Sequence, residues 1–102
     1  MIFTVFTPTY NRAHSLHRVY NSLCSQTFTD FEWVIVDDGS NDNTRQVVDA
    51  WIVEASFPVH YKFQPNSGKH VAINQGVKLA KGDLFLIADS DDGFPANALE
   101  TL

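Results

Sequence analysis

Short apolar runs alternate along this chain with segments whose apolar residues recur at helical spacing. The runs occupy residues 2–6, 33–36, 59–63 and 84–88. Three of them are almost continuously Val, Ile, Leu or Phe, which is typical of strands buried on both faces of a parallel sheet, whereas 59–63 alternates and is expected nearer an edge. This alternation predicts βαβ units, and therefore an α/β fold with a mostly parallel, Rossmann-like sheet covered by helices on both faces.

Three segments between the runs have the periodicity of amphipathic helices. Their apolar positions are Leu16, Val19, Tyr20, Leu23 and Cys24; then Val47, Val48, Trp51, Ile52 and Ala55; then Ile73, Gly76, Val77 and Ala80. The first stripe places Cys24 in the core as a small hydrophobic residue. Residues 41–43 offer an N-cap for the second helix, and Pro95 suits the first turn of a final helix that extends to Leu102.

Length, charge and cysteine content narrow the class of protein. With 102 residues, of which 44% are hydrophobic, residues 1–102 are expected to form a single domain, the front part of a longer protein. The single cysteine excludes an internal disulfide and a multi-cysteine zinc site. A net charge of −5 argues against nucleic acid or an anionic membrane as the main partner. The apolar runs are too short to span a bilayer and the N-terminus lacks a secretory signal, so we expect a cytoplasmic protein.

Polar residues follow three of the four predicted strands, at 7–12, 37–40 and 89–93. Ligands of open α/β sheets bind beyond the carboxyl ends of the strands. Two of these segments contain five carboxylates, those of Asp37, Asp38, Asp89, Asp91 and Asp92. Carboxylates held close together repel each other, and hard oxygen ligands favour Mg²⁺ or Mn²⁺, which keeps coordination positions open for a diphosphate. The alternative is that some of these side chains close turns or cap helices.

Other candidate sites are weaker. Lys69 and His70 are predicted at the start of the third helix, where their charge and the helix dipole would favour a diphosphate; the alternative is a solvated lysine after a capping turn. Tyr10 is placed either to stack on a nucleobase or to pack against the next helix. His14 and His17 are expected on the surface. The sequence has no Walker A loop, G-x-G-x-x-G fingerprint or G-x-S-x-G elbow.

As an ordered set, the polar segments resemble the motifs of the family two glycosyltransferases, which have the GT-A fold. The matching segments are TPTYNR at 7–12, VDDGSND at 36–42 and ADSDD at 88–92, supported by NSG at 66–68, AINQG at 72–76 and AKGD at 80–83. The resemblance extends over essentially all 102 residues. It implies inverting transfer of a sugar from a nucleotide-diphospho-sugar, with UDP-sugars favoured, to a hydroxyl of a carbohydrate or lipid-linked acceptor.

The resemblance also assigns roles to individual residues. Asp38 corresponds to the carboxylate that accepts a hydrogen bond from the nucleobase. Asp91 corresponds to the ligand of the Mn²⁺ or Mg²⁺ ion, which stabilises the departing diphosphate. The remaining donor-binding residues are Thr7, Pro8 and Tyr10 around the base, Asp89 on the ribose side, Ser90, and Lys69. We hypothesise that Lys69 supplies the positive charge that many members place where this chain has Ile73.

The acceptor-binding half and the catalytic base of the family are expected beyond Leu102. The chain alone is therefore expected to bind the donor without transferring the sugar. Any membrane association is expected to depend on that missing part, with the protein in the cytoplasm or at the inner face of the membrane.

Two functions of other classes remain open at this stage. A receiver-like regulatory module would also have an acidic Mg²⁺ pocket, but its acidic pair would follow the first strand, whereas here it follows the second. A nucleotidyltransferase of related fold would have a glycine-rich loop with Arg or Lys after the first strand. Residues 7–12 contain no glycine, which disfavours this second alternative.

Overall fold

The computed structural model describes residues 3–27 and 30–88, in which seven elements alternate between strand and helix. The strands are β1 (Phe3–Thr9), β2 (Phe31–Asp38), β3 (Val59–Gln64) and β4 (Leu84–Ile87), and the helices are α1 (Ala13–Cys24), α2 (Thr44–Glu54) and α3 (Lys69–Leu79). The predicted alternation is confirmed. The predicted final helix and the acidic segment 89–92 lie outside the described residues.

The four strands form one sheet in the order β3-β2-β1-β4, and every neighbouring pair is parallel. The two interior strands, β1 and β2, are covered on both faces, which explains why their sequences are almost continuously apolar. The alternating strand β3 lies at one end of this order, as its sequence predicted.

Helices cover both faces of the sheet. On one face α1 and α2 bury a large aromatic core that includes Leu16, Val19, Phe31, Trp33, Val48 and Trp51. On the other face α3 packs a smaller core formed by Phe6, Val34, Val36 and Ala72. The helices α1 and α2 lie on one face of the sheet, whereas α3, which leads to β4, lies on the other. The direction in which the chain winds therefore changes between β1 and β4, and a crevice is expected there at the carboxyl ends of the strands.

Three side chains predicted to be buried are exposed. Cys24 is exposed because it is the last residue of α1, where the helix leaves the sheet. Ile52 and Val77 are about half exposed, since α2 and α3 each contact a single sheet through a narrow stripe of their surface. Within the described part of the chain, no helix is long and apolar enough to cross a membrane.

Candidate functional site

The loops that follow β1 and β2 are joined to each other by two reciprocal hydrogen bonds. The backbone N–H of Asn11 donates to Ser40 Oγ at 2.7 Å, and the backbone N–H of Asn41 donates to the side-chain oxygen Oδ1 of Asn11 at 2.7 Å. Asn11 adopts φ of 49°, in the left-handed region that asparagine tolerates better than most residues. These bonds fix the relative positions of two of the loops at the carboxyl edge of the sheet.

A third link in this region comes from the carboxylate of Asp42. Its Oδ2 accepts the Ala13 amide at 3.3 Å, while its Oδ1 accepts the Thr44 amide at 3.1 Å and also the Thr44 hydroxyl. Ala13 and Thr44 are the first residues of α1 and α2, so one carboxylate caps both helices. Asp42 is exposed, and although its neighbours remove some water from the carboxylate and so oppose ionisation, its hydrogen bonds to Thr44 and Ala13 outweigh this effect and lower its pKa.

This lowered pKa predicts an acid-dependent loss of stability. Because the unfolded state binds the proton more readily, the stabilisation is complete above the unfolded pKa, about 4, and disappears as pH falls through the folded value. We expect Asp42→Asn to be less stable at neutral pH and to lose less free energy of unfolding than wild type between about pH 6 and pH 3. Urea unfolding over this range measures the difference. Asp49→Asn, an exposed carboxyl of α2, is the control, and parallel curves for Asp42→Asn and wild type would contradict the prediction.

The two adjacent aspartates at the end of β2 have different surroundings. The side chain of Asp37 is buried, where Oδ1 accepts the Ser40 amide at 2.9 Å and Oδ2 accepts the Tyr61 hydroxyl at 2.5 Å. Burial, together with this bond to Asp37, raises the pKa of Tyr61. Both carboxylate oxygens of Asp37 therefore hold the loop and the sheet together, so Asp37 closes a turn, which was the alternative that its sequence position left open.

Asp38 is half-buried and receives hydrogen bonds from β3 and from the start of α3. Its Oδ1 accepts Gln64 Nε2 at 2.8 Å, the Ser67 amide at 2.7 Å and the Gly68 amide at 3.3 Å; its Oδ2 accepts only the Gly68 amide, at 3.1 Å, among the described residues. Burial opposes ionisation, but these bonds outweigh it and lower the pKa of Asp38. The result is an oriented carboxylate whose Oδ2 retains acceptor capacity.

A glycine permits the close packing of the loops on either side of Asp38. Gly39 has φ of 86°, and a Cβ at this position would lie 2.8 Å from the Asn66 backbone nitrogen. Asn66 Nδ2 also donates to the Asp38 carbonyl oxygen at 3.2 Å. The β2–α2 and β3–α3 loops are therefore in direct contact, and the side chain of Asp38 has a fixed position between them.

The predicted donor-binding residues Thr7, Pro8 and Tyr10 lie at this same edge, but Thr7 and Pro8 belong to β1 itself, which extends to Thr9, and only Tyr10 follows the strand. The Thr7 side chain is buried and its Oγ1 accepts the Trp33 indole N–H at 2.9 Å, so any contact of Thr7 with a ligand would use its backbone. Pro8 is half-buried, and Tyr10 is 45% exposed. The base-pocket roles of these residues remain predictions.

The start of α3 also lies beside Asp38. Lys69 is the first residue of α3 and follows Gly68, whose amide binds Asp38. A diphosphate was predicted near this helix N-terminus. The Ser67 and Gly68 amides instead donate to a carboxylate of the protein itself, that of Asp38. A phosphate-binding role for Lys69 remains a prediction.

The metal-binding prediction concerns residues outside the described ranges. Asp89, Ser90 and Asp91 all lie there, and within residues 3–27 and 30–88 no three His, Cys, Asp or Glu side chains are grouped as a metal site. By donor chemistry, the carboxylates of Asp89 and Asp91 suit Mg²⁺ or Mn²⁺. His14 and His17 are exposed as predicted, and the His17 ring contacts Trp51 edge-on with centroids 5.1 Å apart.

Sequence reasoning missed the roles of Gln64 and Ser40 at this edge, and it predicted Asp42 only as one of three possible N-caps of α2, not as a cap shared with α1. Gln64 had a detectable signal, because it is a polar residue at the end of an alternating strand, and Asp42 lies two residues before Thr44, the first residue of α2. Asn43 occupies the N-cap position of α2, but its side chain forms no capping bond.

A match to a protein-family model decides the family to which this chain belongs. The family model described as "Glycosyl transferase family 2" matches residues 4–102. The chain belongs to glycosyl transferase family 2. The resemblance inferred from the sequence motifs is confirmed, and membership sets aside the receiver-like and nucleotidyltransferase alternatives.

The curated relatives that the chain matches are glycosyltransferases as well. The poly(ribitol-phosphate) beta-N-acetylglucosaminyltransferase TarP of Staphylococcus aureus is 38% identical over 104 residues, covering 97% of this chain and 31% of TarP. An uncharacterized glycosyltransferase of Nostoc, alr2836, is 37% identical over 102 residues, covering 100% of this chain and 32% of its own length. The chain thus spans about a third of the length of these curated relatives.

Solved structures of two glycosyltransferases share the fold. The structure of S. aureus TarS residues 1–349 in complex with UDP-GlcNAc superimposes with a TM-score of 0.92 at 34% identity, covering 99% of this chain and 30% of that one. The mannosyltransferase PcManGT from Pyrobaculum calidifontis, in complex with GDP-Man and Mn²⁺, gives a TM-score of 0.85 at 28% identity, covering 92% and 28%. The expected GT-A type of α/β fold is confirmed.

Proposed function

We propose that this chain is the donor-binding part of a glycosyltransferase that moves a sugar from a nucleotide-diphospho-sugar to an acceptor hydroxyl with inversion. The observation that carries the proposal is the ionised Asp38 carboxylate, fixed at the carboxyl edge of the sheet with Oδ2 still able to accept a hydrogen bond. Family membership over residues 4–102 supports it. So do the UDP-GlcNAc complex of TarS and the GDP-Man complex of PcManGT.

A carboxylate at position 38 favours UDP over CDP as the nucleotide part of the donor. An ionised carboxylate only accepts hydrogen bonds. Uracil offers a donor at N3–H, whereas cytosine presents an acceptor at N3. Asp38 would therefore bind the uracil edge, with Tyr10 and Pro8 beside the base and the Thr7 backbone below it.

The remaining proposed roles concern the diphosphate and the acceptor. Asp91 would bind Mn²⁺ or Mg²⁺, Asp89 would lie on the ribose side, and Ser90 would also contact the donor. Lys69 would add positive charge. When bound, the ion would neutralise charge that develops on the departing diphosphate. We place the general base and the binding site for a carbohydrate or lipid-linked acceptor beyond Leu102, so this chain would bind donor without transfer. We place the protein in the cytoplasm or at the inner membrane face.

Calorimetric titration of the 102-residue chain with UDP tests this proposal. We expect wild type to bind UDP in Mn²⁺ and to bind it more weakly when a chelator replaces the metal. In Mn²⁺, Asp91→Ala should bind UDP no better than wild type does in chelator. Asp83→Ala, at an exposed aspartate just before β4, is the matched control and should behave as wild type. A sample with the circular dichroism of a folded α/β protein that binds neither UDP nor GDP would contradict the proposal.

A further inference from the structure

A fully buried carboxylate lies at the end of the sheet opposite the candidate site. Glu32 is the second residue of β2, is completely inaccessible to solvent, and stands between Phe31 and Trp33 in an otherwise apolar segment. Burial of a carboxylate is costly unless hydrogen bonds compensate for the lost water. The partners of Glu32 therefore indicate why it is there.

Those partners belong to the start of β1 and to the loop before β4. Glu32 Oε2 accepts the Thr4 hydroxyl at 2.6 Å and the Lys81 amide at 2.6 Å, while Thr4 Oγ1 accepts the Gly82 amide at 2.8 Å. Glu32 Oε1 lies 3.2 Å from His60 Nε2, without the geometry of a hydrogen bond. One carboxylate and one hydroxyl thus hold two consecutive amides of the α3–β4 loop. We call Glu32, Thr4 and the Lys81–Gly82 backbone the loop anchor.

Only a glycine fits at the position of Gly82 in the loop anchor, so a shifted register of the chain would cause a steric clash there. A Cβ at Gly82 would lie 2.6 Å from the Phe3 carbonyl carbon and 2.6 Å from the Thr4 nitrogen. Neither Lys81 nor Asp83, the two neighbours of Gly82, could occupy this position without a steric clash. The segment that enters β4 is therefore fixed both by hydrogen bonds and by shape.

The strand that follows is short, and its other contacts include its pairing with β1, the stacking of Phe85 on Phe6 and the packing of Leu86 against the large core. β4 has four residues and, among the described residues, pairs only with β1, from Phe3 opposite Leu84 to Phe6 opposite Ile87. The next amide, of Ala88, donates to the Phe6 carbonyl at 2.8 Å. A shift of one residue would move the strand by about 3.3 Å and turn each side chain to the other face.

We propose that Glu32 is a positioning residue: by fixing the register of β4 on β1, it sets the place from which the chain continues into the Asp89-Ser90-Asp91 motif. Glu32 contacts no donor itself and lies at the opposite end of the sheet. Its link to metal binding rests on the function proposed above, whereas its effect on the register of β4 does not.

Four variants test this inference. Glu32→Leu keeps the volume but removes the acceptor, Glu32→Gln keeps one acceptor oxygen, and Thr4→Val removes the hydroxyl while leaving Glu32 in place. Val34→Ala, on the same face of β2 but outside the loop anchor, is the control for a general loss of stability. Should Glu32→Leu fail to fold, Thr4→Val still interrupts the anchor.

Amide hydrogen exchange measured by NMR reports the protection of the α3–β4 loop and of β4 and needs no nucleotide; the Ala88 amide, which donates to the Phe6 carbonyl, is the one that depends on the register of β4. The exchange rates of the Lys81, Gly82 and Ala88 amides are divided by those of β2 amides in the same variant. We expect this relative rate to be at least about tenfold higher in Glu32→Leu and Thr4→Val than in Val34→Ala. Glu32→Gln should restore the protection. Equal protection of these three amides in Thr4→Val and Val34→Ala would overturn the inference.

The second measurement is the ratio of the UDP dissociation constants in chelator and in Mn²⁺. We expect Glu32→Leu to reduce this ratio about tenfold, which is the size of effect found for groups that orient metal ligands. The UDP dissociation constant in chelator should stay within about twofold of the wild-type value. Glu32→Gln and Val34→Ala should keep the ratio. An unchanged ratio in Glu32→Leu overturns the link to metal binding. If folded wild type binds neither UDP nor GDP, the proposed function fails, and the exchange rates alone decide the register.

Discussion

Replacement of Asp38 by alanine is expected to weaken UDP binding by about a hundredfold. A hydrogen bond to a charged group contributes about 1.5–3 kcal/mol, and about 1.4 kcal/mol corresponds to a factor of ten in affinity. The substitution also removes the acceptor shared by Gln64 Nε2 and the Ser67 and Gly68 amides. The loop before α3 would then lose the contact that fixes it. Calorimetry in Mn²⁺ measures the affinity, and the free energy of unfolding shows how much of the loss is structural.

Asp38→Asn separates base recognition from loop structure. Asparagine keeps one oxygen for the Ser67 and Gly68 amides, but it adds an NH₂ group that can donate to the N3 acceptor of cytosine. We therefore expect the preference for UDP over CDP to fall about tenfold in Asp38→Asn, with a smaller loss of stability than in Asp38→Ala. The ratio of the two dissociation constants is the measurement.

The control for this experiment is Asp42→Asn, a change of the same chemistry in a neighbouring carboxylate that caps helices. Its ratio of UDP to CDP affinity should equal that of wild type. A ratio that is also unchanged in Asp38→Asn would show that another group binds the base edge, and it would remove the observation on which the proposed function depends.

The sheet was predictable because its strands have simple signals. The apolar runs at 33–36 and 84–88 correspond to β2 and β4, and the alternating run at 59–63 corresponds to the edge strand β3. The ends of the strands were less predictable. β1 continues to Thr9 through polar residues and a proline, because it pairs with β2 as far as Asp37, and pairing between strands distant in sequence has no local signal.

The individual roles of the acidic residues were harder to predict than their location. Asp37 and Asp38 are neighbours in sequence, but side chains alternate along a strand, so one binds Tyr61 and the other binds the start of α3. The sequence showed both at a strand end and could not name their partners. Glu32 had a signal that was overlooked: a charged residue inside an apolar strand needs compensating bonds from elsewhere in the fold.

The largest loss of stability is expected from Trp33→Ala. Trp33 lies in the interior strand β2 and is completely buried, with its ring centroid 5.5 Å from that of Trp51 and 6.2 Å from that of Tyr20. Its indole N–H also donates to Thr7 Oγ1. Removal of a buried aromatic side chain costs about 3–5 kcal/mol, a large part of the roughly 5–15 kcal/mol that stabilises a typical domain. Urea unfolding followed by circular dichroism measures the change.

Two further variants separate packing from hydrogen bonding at this position. Trp33→Phe keeps most of the ring but leaves the buried Thr7 hydroxyl without the indole donor, so we expect a loss of about 1–3 kcal/mol, smaller than for Trp33→Ala. Ile52→Ala, at a half-exposed position on α2, should change stability by less than about 1 kcal/mol. A loss below about 1 kcal/mol for Trp33→Ala would mean that the aromatic cluster does not hold β1, β2 and α2 together. In that case the rigid edge around Asp38 would need a different structural support.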